Sequence, residues 1–197
     1  TFDFEARAEA SVGNYGFVQG KGSISGPITD TVAARLAFSG TGRRGTVRNV
    51  ATDRWINEQD NFGVRGQLLW EPADSVEVTV AADYSTQDPV CCGTVFVRTG
   101  PTQRALNRQY AALAAAQNYQ VPTTDPFARR TDIDASLSAG NTIAGASARL
   151  RWDTGWGELT SITAWRYWDW LPENDRDFTG LPITSLSQNP SQQNQWT

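Results

Sequence analysis

The sequence predicts an all-β chain, an antiparallel meander of about seven long strands forming a segment of a large membrane-spanning β-barrel with long outer loops. Three observations carry this. Apolar residues recur at every second position in seven stretches, the period that gives a strand two unlike faces. Connections alternate between short turns and long loops, and aromatic residues of the apolar set gather at strand ends.

Each strand follows from that alternation. The first, about 2–12, sets Phe2, Phe4, Ala6, Ala8, Ala10 and Val12 against Asp3, Glu5, Arg7, Glu9 and Ser11. The second, 17–26, puts Val18 and Ile24 on one face and Gln19, Lys21 and Ser23 on the other. The third, 31–40, sets Val32, Ala34, Leu36 and Phe38 against Arg35 and Ser39. The fourth, 61–70, carries Phe62, Val64, Leu68 and Trp70 against Arg65 and Gln67. The fifth, 75–85, opposes Val76, Val78, Val80, Ala82 and Tyr84 to Glu77, Thr79 and Asp83. The sixth, 143–153, opposes Ala144, Ala146, Ala148, Leu150 and Trp152 to Ser147, Arg149 and Arg151. The seventh, 158–170, is less regular, because Arg166 falls among Ile162, Ala164, Trp168 and Trp170.

"GPITD", "EPADS" and "DTGWGE" are short connections, whereas the outer loops 41–60, 86–142 and 171–197 are long. With the short turns on the inner side, Phe2, Phe4, Trp70 and Trp152 lie at the inner edge. Phe38, Phe62, Tyr84, Trp168 and Trp170 lie at the outer edge. The eight residues from Phe62 to Trp70 span roughly 20 Å at ~3.3 Å each and a ~40° tilt, near the ~25 Å apolar band of outer-membrane barrels. An apolar face rich in Ala and Gly is thin material for a soluble core but serves against lipid.

Composition narrows the function. Histidine is absent, which removes the commonest general base and most zinc sites. A formal charge of −4 with scattered arginines argues against nucleic acid. The two cysteines, Cys91 and Cys92, are adjacent, which excludes a C-x-x-C redox pair and leaves open a vicinal disulfide, pairing elsewhere or an unpaired buried pair in the loop. No catalytic, cofactor-binding or metal-ligating set is expected.

"LAFSGTGRRGTV" holds Gly40, Gly42 and Gly45 in a G-x-G-x-x-G spacing with Asp60 further on. A dinucleotide fingerprint needs a helix straight afterwards, and "TVRNVATDRWINEQDN" has no helical apolar stripe, so the glycines mark a rim loop. "TQRALNRQYAALAAAQ" predicts a short helix capped by Thr102 after Pro101, with Leu106, Tyr110 and Leu113 at helical spacing. Asp132, Asp134 and Ser136 start like a calcium loop, but Leu137 replaces the required Gly, so a solvated loop is expected. Phe96, Tyr110, Trp165, Tyr167 and Arg176 are the expected ligand-contacting residues of the outer loops. The interior charges are expected to pair across strands, with Glu9 opposite Lys21.

The stretches "EASVGNYGFVQGKGSISGPITDTVAARLAFSGTGRRGTVRN", "DNFGVRGQLLWEPADSVEVTVAADYS" and "GELTSITAWRYWDW" resemble the first barrel strands of TonB-dependent outer-membrane receptors. The resemblance covers nearly the whole chain apart from the long loops. It implies a 22-stranded barrel filled by a plug, of which this segment starts just after the plug and ends near an eighth strand. Neither the plug, the TonB box nor a closing strand is recognisable within the 197 residues. The implied function is active import, across the outer membrane of a Gram-negative bacterium, of a scarce nutrient such as a ferric siderophore, cobalamin or an oligosaccharide. The implied partners are outer-membrane lipid, the plug and remaining strands, the TonB complex and the nutrient. The alternatives are a small structural or adhesive barrel, closing strand 2–12 on a strand near 188–197, and a soluble carbohydrate-binding sheet.

Overall fold

The computed structural model describes residues 2–100, 102–184 and 186–197. Pro101, the residue before the expected helix cap, lies outside them. Eight antiparallel strands form the main sheet: β1 (Glu5–Gly13), β2 (Phe17–Thr29), β3 (Val32–Arg43), β6 (Gln59–Ala73), β7 (Val76–Gln87), β9 (Ser138–Asp153), β10 (Glu158–Glu173) and β11 (Ser191–Trp196). They pair in that order, and among the described residues the sheet is open: β1 pairs only with β2, and β11 only with β10. This does not meet the closure that a small complete barrel requires. A second sheet of three short strands, β4 (Val47–Asn49), β5 (Arg54–Ile56) and β8 (Arg130–Thr131), is built in the long loops.

The eighth main strand and the small sheet correct the reading of 171–197, 41–60 and 86–142 as loop throughout. Several strands also run past their expected outer ends, β9 starting at Ser138 and β10 continuing to Glu173. The physical reason is common to both: apolar alternation marks only the stretch of ladder with one apolar face, whereas backbone hydrogen bonds continue among polar residues such as "SQQNQW". At the other end, Phe2 and Phe4 precede β1 rather than belonging to it.

Cross-strand partners share a face, so the register tests the alternation directly. Ala6 pairs with Ile24, Ile24 with Leu36, Leu36 with Gly66, Phe38 with Val64 and Val64 with Tyr84. Tyr84 pairs in turn with Ala144, Val80 with Ala148 and Val76 with Trp152. One face is therefore apolar from β1 to β9, and Ile24, Leu36, Phe38, Phe62 and Trp70 stand about half exposed on it. The opposite face is polar. Glu9 pairs with Lys21 as expected, with 3.7 Å between charges.

In β10 the frame changes. Trp152 pairs with Leu159, Ala146 with Trp165 and Ala144 with Tyr167, so the odd positions of β10 join the apolar face. Arg166, Trp168 and Trp170 lie on the polar face opposite Gly145, Ile143 and Asn141. This corrects the placement of Ile162, Ala164, Trp168 and Trp170 with the apolar set. The cause is in the turns. The short turns after β2 and β6 are each preceded by a bulge, at Pro27/Thr29 and Trp70/Ala73, that restores the frame. The Thr154–Gly157 turn, closed by Thr154 N–H to Gly157 O at 3.0 Å, has no bulge beside it, and the shift persists.

The polar face confirms the new frame. Asp83 accepts from Arg65 at 3.1 Å and from Arg166 at 2.6 Å, although β9 lies between β7 and β10. Gly145 makes the crossing possible, since a Cβ there would stand 2.6 Å from Arg166 Nη1. Glu77 and Arg151 make a further cross-strand pair at 2.9 Å.

The outer loops have a core of their own. Val47, Ile56, Ile133 and Leu137 are buried together, with Val90, Val95 and Phe178 packed against them. The stretch read as a solvated calcium-like loop is thus anchored by two core side chains, and Leu137 stands there for packing. Gly45 sits where backbones meet: a Cβ would fall 2.4 Å from Ile56 O, whereas Gly40 and Gly42 have nothing within 4 Å. The G-x-G-x-x-G spacing is a strand end and a hairpin, with no helix after it.

Candidate outer-loop binding site

The site forms where β9, β10 and the loops that extend them converge. On the polar face of β10, Trp168 and Trp170 stack with ring centroids 5.9 Å apart and planes 16° from parallel. Trp168 Nε1–H donates to Asn141 Oδ1 on β9 at 2.6 Å, which holds the ring against the strand. Past the strand end, Glu173 accepts from Ser136 Oγ at 2.6 Å and Gln188 Nε2 at 2.5 Å, tying three segments together. Asn174 N–H donates to Ser187 O at 2.9 Å, and Arg176 Nε to Ser187 Oγ at 2.8 Å.

These contacts frame a cavity of about 310 Å³ lined by Trp170, Glu173, Asn174, Arg176, Asn189 and the cysteines. Cys91 and Cys92 are joined as a vicinal disulfide that forms one wall. An indole plane, a disulfide and a guanidinium around one hollow suit non-covalent capture of a compact ligand with flat and anionic parts.

The other expected contact residues are distributed differently. Phe96 and Tyr110 stack on each other at 5.1 Å, both half-buried, beside the cavity-forming loops. Burial, aided by the charge of Asp132, pushes the Tyr110 phenol above its usual range. Tyr110 opens helix α1 (Tyr110–Ala116), which is shorter than expected and buries Ala114 rather than Leu106 or Leu113. Thr102 caps a turn instead, accepting from Arg104 N–H at 3.3 Å. Trp165 and Tyr167 stack at 6.3 Å on the apolar face, away from the cavity, and Trp165 Nε1–H donates to Asn194 of β11 at 2.7 Å.

The structure therefore brings Cys91, Cys92 and Arg176 together, pairs Phe96 with Tyr110, and sends Trp165 and Tyr167 to the other side of the sheet. Trp170 and Glu173, which line the cavity, and Trp168, which stacks on Trp170, were not among the expected contact residues. The signal that finds the two tryptophans is Arg166: a charge among supposed apolar positions marks a strand whose faces have exchanged.

Acidic groups border the site. Asp175 is fully buried, and its Oδ1 accepts from Asp177 N–H at 3.0 Å and Phe178 N–H at 3.1 Å. Desolvation raises its carboxyl above the usual carboxylate range, with the nearby Asp177 charge adding to the rise. Asp132 is engaged by Tyr119 Oη–H at 3.0 Å. Among the described residues, no group of three or more His, Cys, Asp or Glu is arranged to hold a metal ion.

No protein-family model matches the chain, and no curated protein matches it significantly. Solved structures do. The ferric-catecholate import receptor Fiu from E. coli K12, in its open form, superposes with a TM-score of 0.60 at 18% identity over 98% of this chain. Its closed form superposes with a TM-score of 0.60 at 17% identity, also over 98%. The chain spans 29% and 27% of those receptor chains. At that identity the likeness speaks for the fold alone: an antiparallel segment of a β-barrel.

Proposed function

We propose that this chain is part of the wall and mouth of an outer-membrane active transporter that captures a ferric siderophore and imports it with TonB-supplied energy. In this reading the apolar face meets outer-membrane lipid. The polar face meets a plug and water, with the remaining barrel strands continuing from β1 and β11. The nutrient is held non-covalently, with no covalent chemistry by this chain. The observation that carries the reading is the placement of Trp168 and Trp170 on the polar face, stacked and adjoining the cavity with Arg176. Aromatic planes beside a cation recognise flat, anionic ligands. The fold shared with a ferric-catecholate import receptor supports the same ligand class.

The test uses the full-length protein in detergent micelles, with ferric catecholates titrated against intrinsic fluorescence. Trp170→Ala and Arg176→Gln should each weaken binding roughly tenfold, in line with one stacking or cationic contact. Trp165→Ala, on the opposite face, should leave affinity unchanged. Equal losses from Trp165→Ala and Trp170→Ala would overturn the assignment of faces and site together. Ferric-siderophore-limited growth of a strain carrying only the variant supplies the transport readout.

A further inference from the structure

The small loop sheet has two contrasting faces. Val47, Ile56, Asn49 and Thr131 are buried on the side packed against Ile133 and Leu137. The other side carries Arg48, paired with Trp55 on β5 and with Arg130 on β8. Around that face a ladder of alternating cations and rings is assembled. Arg129 lies over Tyr15 at 5.4 Å, and Arg44 over Tyr15 at 5.9 Å and over Trp55 at 4.9 Å. Arg48 lies over Trp55 at 5.7 Å.

Arg129 also donates to the Tyr15 hydroxyl, and Arg48 pairs with Asp53. Among the described residues, no carboxylate pairs with Arg44, Arg129 or Arg130. A chain of net charge −4 thus concentrates uncompensated arginines on one exposed face. The rings hold the guanidinium planes in place, which lowers the entropy lost when they bind an anion.

Its position selects the anion. The ladder lies just past the outer ends of β2, β3 and β6, beyond the aromatics Phe38 and Phe62 of the apolar face. The buried side of the small sheet packs on the residues next to Cys91 and Ser138, which wall the ligand cavity, so the ladder faces away from that cavity. On the proposed membrane reading, a charged surface at that height looks onto the headgroup layer.

We infer that the Arg44–Arg48–Arg129–Arg130 face, with Tyr15 and Trp55, binds the phosphate groups of an outer-leaflet glycolipid. Clustered arginines next to an apolar band attract anionic headgroups, and guanidinium forks match phosphate oxygens in pairs.

The inference rests on the outer-membrane reading, and its test separates the two. The full-length protein is reconstituted into nanodiscs and binding of bisphosphorylated lipid A is followed by native mass spectrometry. Dephosphorylated lipid A and inorganic phosphate are the comparison arms. Wild type should prefer the bisphosphorylated lipid, and R44Q/R129Q/R130Q should bind it on the order of a hundredfold more weakly. Ferric-catecholate affinity and melting temperature should stay unchanged. Equal lipid binding by wild type and variant would overturn the inference, as would displacement of the lipid by inorganic phosphate, which marks a free-anion site. A matching fall in catecholate affinity would also overturn it, placing the arginines on the ligand path. Failure of the wild type to enter the bilayer would instead defeat the outer-membrane reading.

Discussion

Ile133→Ala asks whether the outer loops are held by one shared core. Ile133 is fully buried among Val47, Ile56 and Leu137, side chains from three separate segments. Its carbonyl accepts from Asn49 Nδ2 at 2.7 Å, so its position also orders β4. Removing three carbons forfeits about 2.4 kcal/mol of burial at ~0.8 kcal/mol per methylene. An unrelaxed void of roughly 80 Å³ adds about 1.9 kcal/mol at ~24 cal/mol per Å³. Partial collapse of the loops recovers some of the second contribution, leaving about 3 kcal/mol, inside the 2–5 kcal/mol range for such truncations.

Hydrogen exchange on the full-length protein in micelles reads this locally. Protection across Thr46–Asn57, including the Thr46 N–H to Ile56 O bond, should fall about a hundredfold, while β6, β7 and β9 keep theirs. Ile133→Val should cost about 1 kcal/mol and fivefold. Unchanged protection at 46–57 would refute the shared core. Equal loss in β6–β9 would show that loops and sheet open as one unit.

Two further outcomes follow from single residues. Gly45→Ala places a methyl against the β5 backbone, with no flexible side chain to yield, and should destabilise the β4–β5 hairpin by about 1–3 kcal/mol; Gly40→Ala and Gly42→Ala, which meet nothing, should leave exchange there unaltered. Asp175 has a raised native pKa, so its stabilising effect on the loop is complete below the ordinary Asp range and is lost as pH rises through the native value. Asp175→Asn keeps an acceptor for the two backbone N–H groups, and Asp177 Oδ2, buried without a partner, is available to its amide. That variant should make loop protection at neutral pH higher than wild type and flatter with pH, and a variant less protected than wild type at neutral pH would contradict the sign.

How far the fold could be read ahead depended on locality. In β1 and β2 the cross-strand partners are joined directly through the Asn14–Gly16 turn, so alternation and the turn together place Glu9 opposite Lys21. In β10 the same alternation exists, but tryptophans occupy both faces, at 165 and at 168 and 170, and the turn decides which set faces which side. β11 was expected only as the start of an eighth strand, without bounds, because its polar residues, which pair with Trp165–Trp170 of β10, carry no apolar alternation. The small sheet was out of reach for another reason: Arg48 and Arg130 are parallel neighbours far apart in the chain, and strands of two or three residues carry no periodic signal. Of the cavity lining, Arg176 was among the residues expected at the outer loops, and Cys91 and Cys92 were expected only as a possible disulfide. Trp170 and Glu173 reach the cavity only through register and loop packing.

The most direct test of the central claim, that the face from Ile24 through Leu150 meets hydrocarbon and that the frame exchanges in β10, is a spin-label scan of the full-length protein in bilayers. Labels at Ala148, Leu150, Leu159, Ser161 and Thr163 should be relaxed by a lipid-soluble agent, and those at Arg149, Thr160, Ile162 and Ala164 should be protected from it. A lipid-contact pattern that stays on the even positions through Ala164, or none at all on Ala148 and Leu150, would contradict the account.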